Sequence, residues 1–189
     1  MSDFAFRPPP PRDDVLRGLR RRISGLDSSL RILAEEVLGE SSIIDLVTVD
    51  PNGQVVLLML GEAGDDLELF TRALAQRAWV RARIRDWLKL APGLDLQPDA
   101  AVRVVLLCPS FHPETRAAAT DIASGVIDLV RYRCLQSEGR TSLLLEPVES
   151  PDPVSMPHRD EAPASDPSFR SGLTREDFDL SPEEVRELA

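Results

Sequence analysis

Lysine is almost missing from this chain of 189 residues: Lys89 stands alone against 21 arginines. Such a bias points to a GC-rich coding genome and says nothing of mechanism, but any chemistry that needs an ammonium group must find it at Lys89. Cysteine is equally scarce. Cys108 and Cys134 form no metal-ligand cluster and read as two buried free thiols in a reducing cytoplasm. Histidine occurs only at 112 and 158. No Gly-rich phosphate loop is present. No apolar run is long enough to span a bilayer and none has the form of a signal peptide, so the expected location is cytoplasmic, with no membrane partner. Ser110 and His112 share a loop, yet adjacency in sequence is not a nucleophile–base geometry, and both read as solvent-exposed.

Negative charge is abundant but unevenly placed. Residues 147–189 hold 11 acids and four arginines, a net −7, whereas residues 1–146 hold 21 acids and 18 bases, a net −3. Residues 7–31 alone carry seven arginines against three acids. The acidic tail disfavours nucleic acid and the nearly neutral body leaves it open.

Four consecutive prolines, Pro8 to Pro11, mark residues 1–12 as an extended, disordered arm. Asp13 to Ile23 reads as a helix, with acids at its start and Val15, Leu16, Leu19 and Ile23 as its apolar stripe. Arg17, Arg20, Arg21 and Arg22 decorate it as a solvated face, or, on the sharper reading, as nucleic-acid contacts. Leu30 to Val37 admits helix or strand, and the short loop after it favours strand. Two apolar runs, Ile43–Val49 and Gln54–Leu60, flank Asp50-Pro51-Asn52-Gly53, a strong hairpin signal. Both runs are apolar on both faces, which predicts a sheet covered on each side.

Asp66 to Ala91 reads as one long helix stopped by Pro92-Gly93. Its apolar stripe, Phe70, Ala73, Leu74, Val80, Ile84, Trp87 and Leu88, includes Arg77 and Arg81 at its centre. A strand over Val102–Leu107, a helix from Glu114 to Ile122, a strand over Val126–Tyr132 and a last strand over Thr141–Leu145 follow. Strand, helix and strand with a short crossover imply parallel pairing. The fold class is therefore α/β: a mixed sheet flanked by helices, with a disordered N-terminal arm and C-terminal tail. The domain occupies 13–146. Residues 147–172, part of a stretch with seven prolines in 43 residues, read as a disordered acidic linker. Residues 173–189 read as a short amphipathic helical segment with two capping boxes and Phe178, Leu180, Val185 and Leu188 on show.

Asp45 inside the first run, the hairpin and the second run ending Met59-Leu60-Gly61 set up a comparison of spacing. With Gln76 on the next helix and Leu106-Leu107-Cys108-Pro109-Ser110 in the βαβ half, residues 26–147 resemble the PD-(D/E)xK restriction-endonuclease-like superfamily. The catalytic domain of NucS-type endonucleases is the nearest pattern. The resemblance implies a restriction-endonuclease-like core in which Asp45 matches the first metal-binding acid and Gln76 the assisting glutamine. It also implies that Met59 stands where the second acid belongs and Gly61 where the lysine belongs. A thioether does not replace a carboxylate towards Mg²⁺. Glu62, Glu35 and Glu36 are the carboxylates near enough in sequence to rebuild a site.

The expected function is a catalytically degenerate nuclease-fold domain used as a binding or scaffold module, with no metal or other cofactor. The alternatives are a Mg²⁺-dependent NucS-type endonuclease with a rearranged site, and a non-cleaving nucleic-acid-binding protein. A protein partner is expected through residues 173–189, docking in cis or in trans, and DNA and a homodimer stay open. A carboxylate in an apolar strand must be paired, hydrated or protonated. The expected partners of Asp45 are therefore Arg77 and Arg81, with Arg77 first, forming a structural pair where the metal would sit.

Overall fold

The computed structural model describes residues 5–40, 42–122, 125–137 and 140–148, with the side chains of residues 5–7, 24, 25 and 136–141 excepted. The linker and terminal segment expected at 147–189 lie outside these residues, apart from Pro147 and Val148. In chain order the elements are β1 (Ala5–Arg7), α1 (Arg12–Leu26), β2 (Arg31–Leu38), β3 (Ile43–Val49), β4 (Val55–Leu60) and α2 (Asp66–Leu90). Then come β5 (Arg103–Cys108), α3 (Pro113–Asp121), β6 (Ile127–Ser137) and β7 (Arg140–Pro147).

The strands form one mixed sheet in the order β1-β6-β5-β4-β3-β2, with β7 on the other edge of β6. β2, β3 and β4 are an antiparallel meander, and β4, β5 and β6 run parallel. The turn between β3 and β4 follows from its residues. Asp50 Oδ1 accepts the backbone N–H groups of Asn52 (2.8 Å) and Gln54 (2.9 Å), and Gly53 takes φ +79°, a conformation that favours glycine.

The two-sided apolar pattern of β3 and β4 has the expected consequence. All six residues of β4 are buried. On one face of the sheet, Leu57 and Met59 pack with Leu69, Phe70, Ala73, Val80 and Ile84 of α2. On the other, Leu46, Leu58 and Leu60 pack with Val15, Leu16 and Leu19 of α1. Full burial of each such side chain contributes about 1.5–3 kcal/mol. α2 and α3 both serve as crossovers on the first face, with Ala119 of α3 in the same cluster. No helix among the described residues is long and apolar enough to cross a membrane.

Three expectations need correction. The arm is structured from Ala5: β1 pairs with β6 at Ala5↔Gln136 and Arg7↔Cys134, and α1 begins at Arg12 directly after the prolines. Three residues are too few to announce a strand, and the ladder with β6 is what fixes them. β6 runs to Ser137 and turns back as a hairpin with β7, so the two strands are longer than their apolar cores. Finally, the domain continues past residue 146, because Pro147 ends β7 and Val148 N–H donates to Leu129 O at 2.8 Å.

Candidate functional site

Asp45 sits where β3 parts from its neighbour. The β3–β4 ladder stops at Leu46↔Leu58, and the next polar group on β4, the Leu60 N–H, donates to Asp45 Oδ2 at 2.7 Å. The other oxygen, Oδ1, takes the Arg12 guanidinium at 2.6 Å, and Arg12 also donates to Leu60 O at 2.8 Å. Asp45 thus replaces a missing rung of the sheet, and Arg12 completes it. Asp45 is 3% exposed and the Arg12 side chain 40% exposed, so this is a half-buried pair. Burial pushes the Asp45 carboxyl above its ordinary value of 3.8, with the Leu60 N–H and the Arg12 charge opposing.

The remaining motif positions point elsewhere. Met59 is 1% exposed in the α2-side core. A Cβ added to Gly61 would lie 2.6 Å from Cys108 Sγ and 2.8 Å from Leu69 Cδ2, so no side chain fits there. Gln76 is buried and donates through Nε2 to Ser42 O (3.1 Å) and Ser42 Oγ (2.7 Å). It packs against Gly39 and pins the β2–β3 turn to α2. Asp45 reaches the start of α1, Met59 and Gly61 face the α2 layer, and Gln76 serves a turn. The four residues are not gathered into one site.

The proposed partners of Asp45 also need correction. Arg77 Nε donates to Val102 O at 2.8 Å, and Arg81 is exposed. The helical wheel sets both at the centre of the core-facing stripe, but the stripe's buried line runs through Leu69, Ala73, Gln76, Val80 and Ile84, with Arg77 half-buried at its edge and Arg81 exposed. It also carries no information on which sheet face Asp45 addresses. Arg12 was missed because the prolines before it suggested a loose arm. The signal was their rigidity: Pro8 to Pro11 lead straight into α1 and aim its first residue at the sheet. Of the α1 arginines, Arg17 pairs with Asp14 (2.8 Å), Arg20 pairs with Glu35 of β2 (2.7 Å), and Arg21 and Arg22 are exposed.

A groove of about 590 Å³ opens beside the pair, lined in part by Arg12, Asp13, Glu36, Asp45 and Arg72. Glu36 lies between Glu35, paired with Leu46, and Val37, paired with Ile44, and has φ +50°. Glu62 lies on another cavity, on the far side of Arg12 with Tyr132 and Pro109. A Mg²⁺ site of the superfamily type needs converging carboxylates. Both oxygens of Asp45 are engaged by donors, and Met59 offers none, so these residues do not fit the ion. Among the described residues, no group of three or more His, Cys, Asp or Glu is placed to hold a metal.

A second polar cluster lies at the junction of α2 and α3. Asp66, fully buried, accepts the His112 N–H (2.8 Å) and the Thr115 hydroxyl (2.6 Å) at Oδ2, and meets His112 Nδ1 at Oδ1 (2.6 Å). Burial raises the Asp66 carboxyl, but the Thr115 and His112 hydrogen bonds outweigh it and hold the group below 3.8. The hydrogen bond that His112 donates to Asp66, and then the Asp66 charge, raise His112 above 6.5. Asp66 holds the first turn of α3 to the start of α2. His112 is exposed as expected, but it is tethered. Cys108 is a buried thiol pushed up to about 12 by burial, so it is no nucleophile.

No protein-family model matches this chain, and no curated protein matches it in sequence. Among solved structures it is similar to a repair endonuclease from Pyrococcus abyssi, at 14% identity and TM-score 0.49, over 66% of this chain and 48% of that one. It is similar to EndoMS in an EndoMS–dsDNA complex at 16% identity and TM-score 0.40, over 60% of this chain and 44% of that one. For Pyrococcus furiosus SfsA in complex with Ca²⁺, the values are 9% and 0.35, over 69% and 62%. The chain spans about half the length of the first two.

Proposed function

We propose that this chain is a nuclease-fold domain that does not cleave nucleic acid and acts as a binding or scaffold module. One observation carries the reading: both oxygens of Asp45 are held by Arg12 and the Leu60 N–H, so its carboxylate closes a gap in the sheet. The core positions of Met59 and Gly61 support it, because neither can present a ligand or a base beside Asp45. A second reading, a rearranged metal site, draws support from Glu36 and Asp13, which line the same groove as Asp45.

One assay separates the two. The purified chain is incubated with Mg²⁺ or Mn²⁺ and linear, branched or single-stranded DNA. The proposal expects every substrate to remain intact. Cleavage that disappears in Asp45→Asn would refute it and establish the rearranged site.

A further inference from the structure

Two long strands, β2 and β7, form edges of the sheet, and the chain treats them differently. An edge carries a row of N–H and C=O groups without partners, and natural sequences block it with bulges, charges or short strands. β2 is blocked. Its register with β3 shifts between Ile32 and Ala34, Glu36 takes φ +50°, and Arg31, Glu35 and Glu36 are exposed. β7 shows neither bulge nor break: its eight pairs with β6, from Arg140↔Ser137 to Pro147↔Val130, keep one register throughout. Its middle is Ser142-Leu143-Leu144-Leu145, and its charged residues, Arg140 and Glu146, stand towards the ends. Among the described residues, β7 pairs with β6 alone.

Geometry limits what can add to this edge. Along a strand, backbone polar groups turn alternately towards one neighbour and the other, so antiparallel edges pair only where opposite residues are in the same phase. For two copies of one strand related by a two-fold axis, opposite residues must both be odd-numbered or both even-numbered, and the axis passes through a residue. Centring on Leu143 sets Arg140 opposite Glu146 of the second copy, Thr141 opposite Leu145 and Ser142 opposite Leu144. Every residue from 140 to 146 gains a partner, and the unlike charges meet twice. Centring on Ser142 or Leu144 separates Arg140 from Glu146, and a slip of one residue puts inward groups against outward ones. The faces agree as well. Leu143 and Leu145 pack with α1 in one cluster, and a two-fold axis normal to the sheet keeps that cluster on the same side in both copies.

We propose that β7 pairs with β7 of a second copy of this chain, antiparallel and centred on Leu143, so that two sheets become one. Charge complementarity commits the choice. Opposite charges facing each other across a ladder stabilise it and like charges destabilise it, and the spacing of Arg140 and Glu146 suits the strand to its own copy. A strand of another protein would have to repeat that spacing. Glu146 already takes Arg133 Nε at 3.1 Å, yet its side chain stays 39% exposed and leaves room for a second cation. The proposal goes beyond the binding-module reading and does not depend on it.

The test is sedimentation of the full chain at rising concentration. Strand pairing alone buries less than a standard interface, so a dimer should appear in the micromolar range and predominate by about 100 µM. Arg140→Glu sets acids against each other at both ends and should weaken the dimer about tenfold. Glu146→Arg sets bases against each other and should do the same. Mixing the two variants restores both attractive pairs, so the mixture should regain the dimer that each lacks alone. A second measurement leaves the charges untouched: copies with Ser142→Cys and copies with Leu144→Cys, mixed and oxidised, should cross-link to each other faster than to themselves. The native Cys108 and Cys134 are buried. A monomer at every concentration, a dimer indifferent to both charges, a mixture no tighter than its components, or cysteines that cross-link best with their own kind would overturn the proposal.

Discussion

Arg12 and Asp45 together hold both backbone polar groups of a third residue, Leu60: the carboxylate accepts its N–H and the guanidinium donates to its carbonyl. A residue of α1 and a residue of β3 thereby seal the end of β4. The ion pair is a piece of sheet hydrogen bonding carried out by side chains. Its partners come from segments 33 residues apart.

Replacing Asp45 with alanine should therefore destabilise the chain by about 1–3 kcal/mol, the penalty of leaving the buried Leu60 N–H unpaired. A fully buried pair broken on one side would lose about 3–5 kcal/mol, but Arg12 is 40% exposed and can turn to water. Urea denaturation of Asp45→Ala, Arg12→Ala and the double variant measures the coupling. Additive effects would show that the two side chains do not act together.

Restoring the motif should fail. Met59→Glu with Gly61→Lys drives one charge into the apolar layer beneath α2 and places a side chain where Cys108 and Leu69 leave no room. The loss should exceed about 4 kcal/mol, with no nuclease activity gained. A folded double variant that cleaves DNA would mean the two positions face Asp45 after all.

The Asp66–His112 contact sets two pH limits. His112 is raised above 6.5, so its stabilisation is complete below that value and fades as pH rises through the raised pKa. Asp66 is lowered below 3.8, so its stabilisation is complete above 3.8 and fades as pH falls through the lowered pKa. Thermal melting of the wild type should lose stability as pH rises above 6.5 and through the raised pKa of His112, and His112→Ala should flatten that limb. Identical pH profiles for the two proteins would rule out the tether.

Gly53→Ala should be among the more damaging single-methyl changes. The residue holds φ +79°, and a Cβ there would lie 2.7 Å from Asp95 O. Backbone strain and the clash should together remove about 2–4 kcal/mol, read from the denaturation midpoint. Gly64→Ala, with φ +94° but nothing within 4 Å, isolates the strain alone and should be milder.

Local pattern by itself determined most of the fold. The apolar runs and turn chemistry around Asp50–Gly53, the 25-residue helix ending before Pro92 and the strand–helix–strand order after Val102 each follow from short-range propensity and periodicity. These give a mixed sheet with helices on both faces. The choice of face was a tertiary matter. Nothing in the periodicity of β3 says that Asp45 turns towards α1 while Met59 turns towards α2, because that depends on where the β3–β4 ladder stops. Arg12, the residue that answers Asp45, was hidden for the same reason. Its contact spans 33 positions, and a proline run in sequence looks alike whether it trails in water or aims a guanidinium at a buried carboxylate.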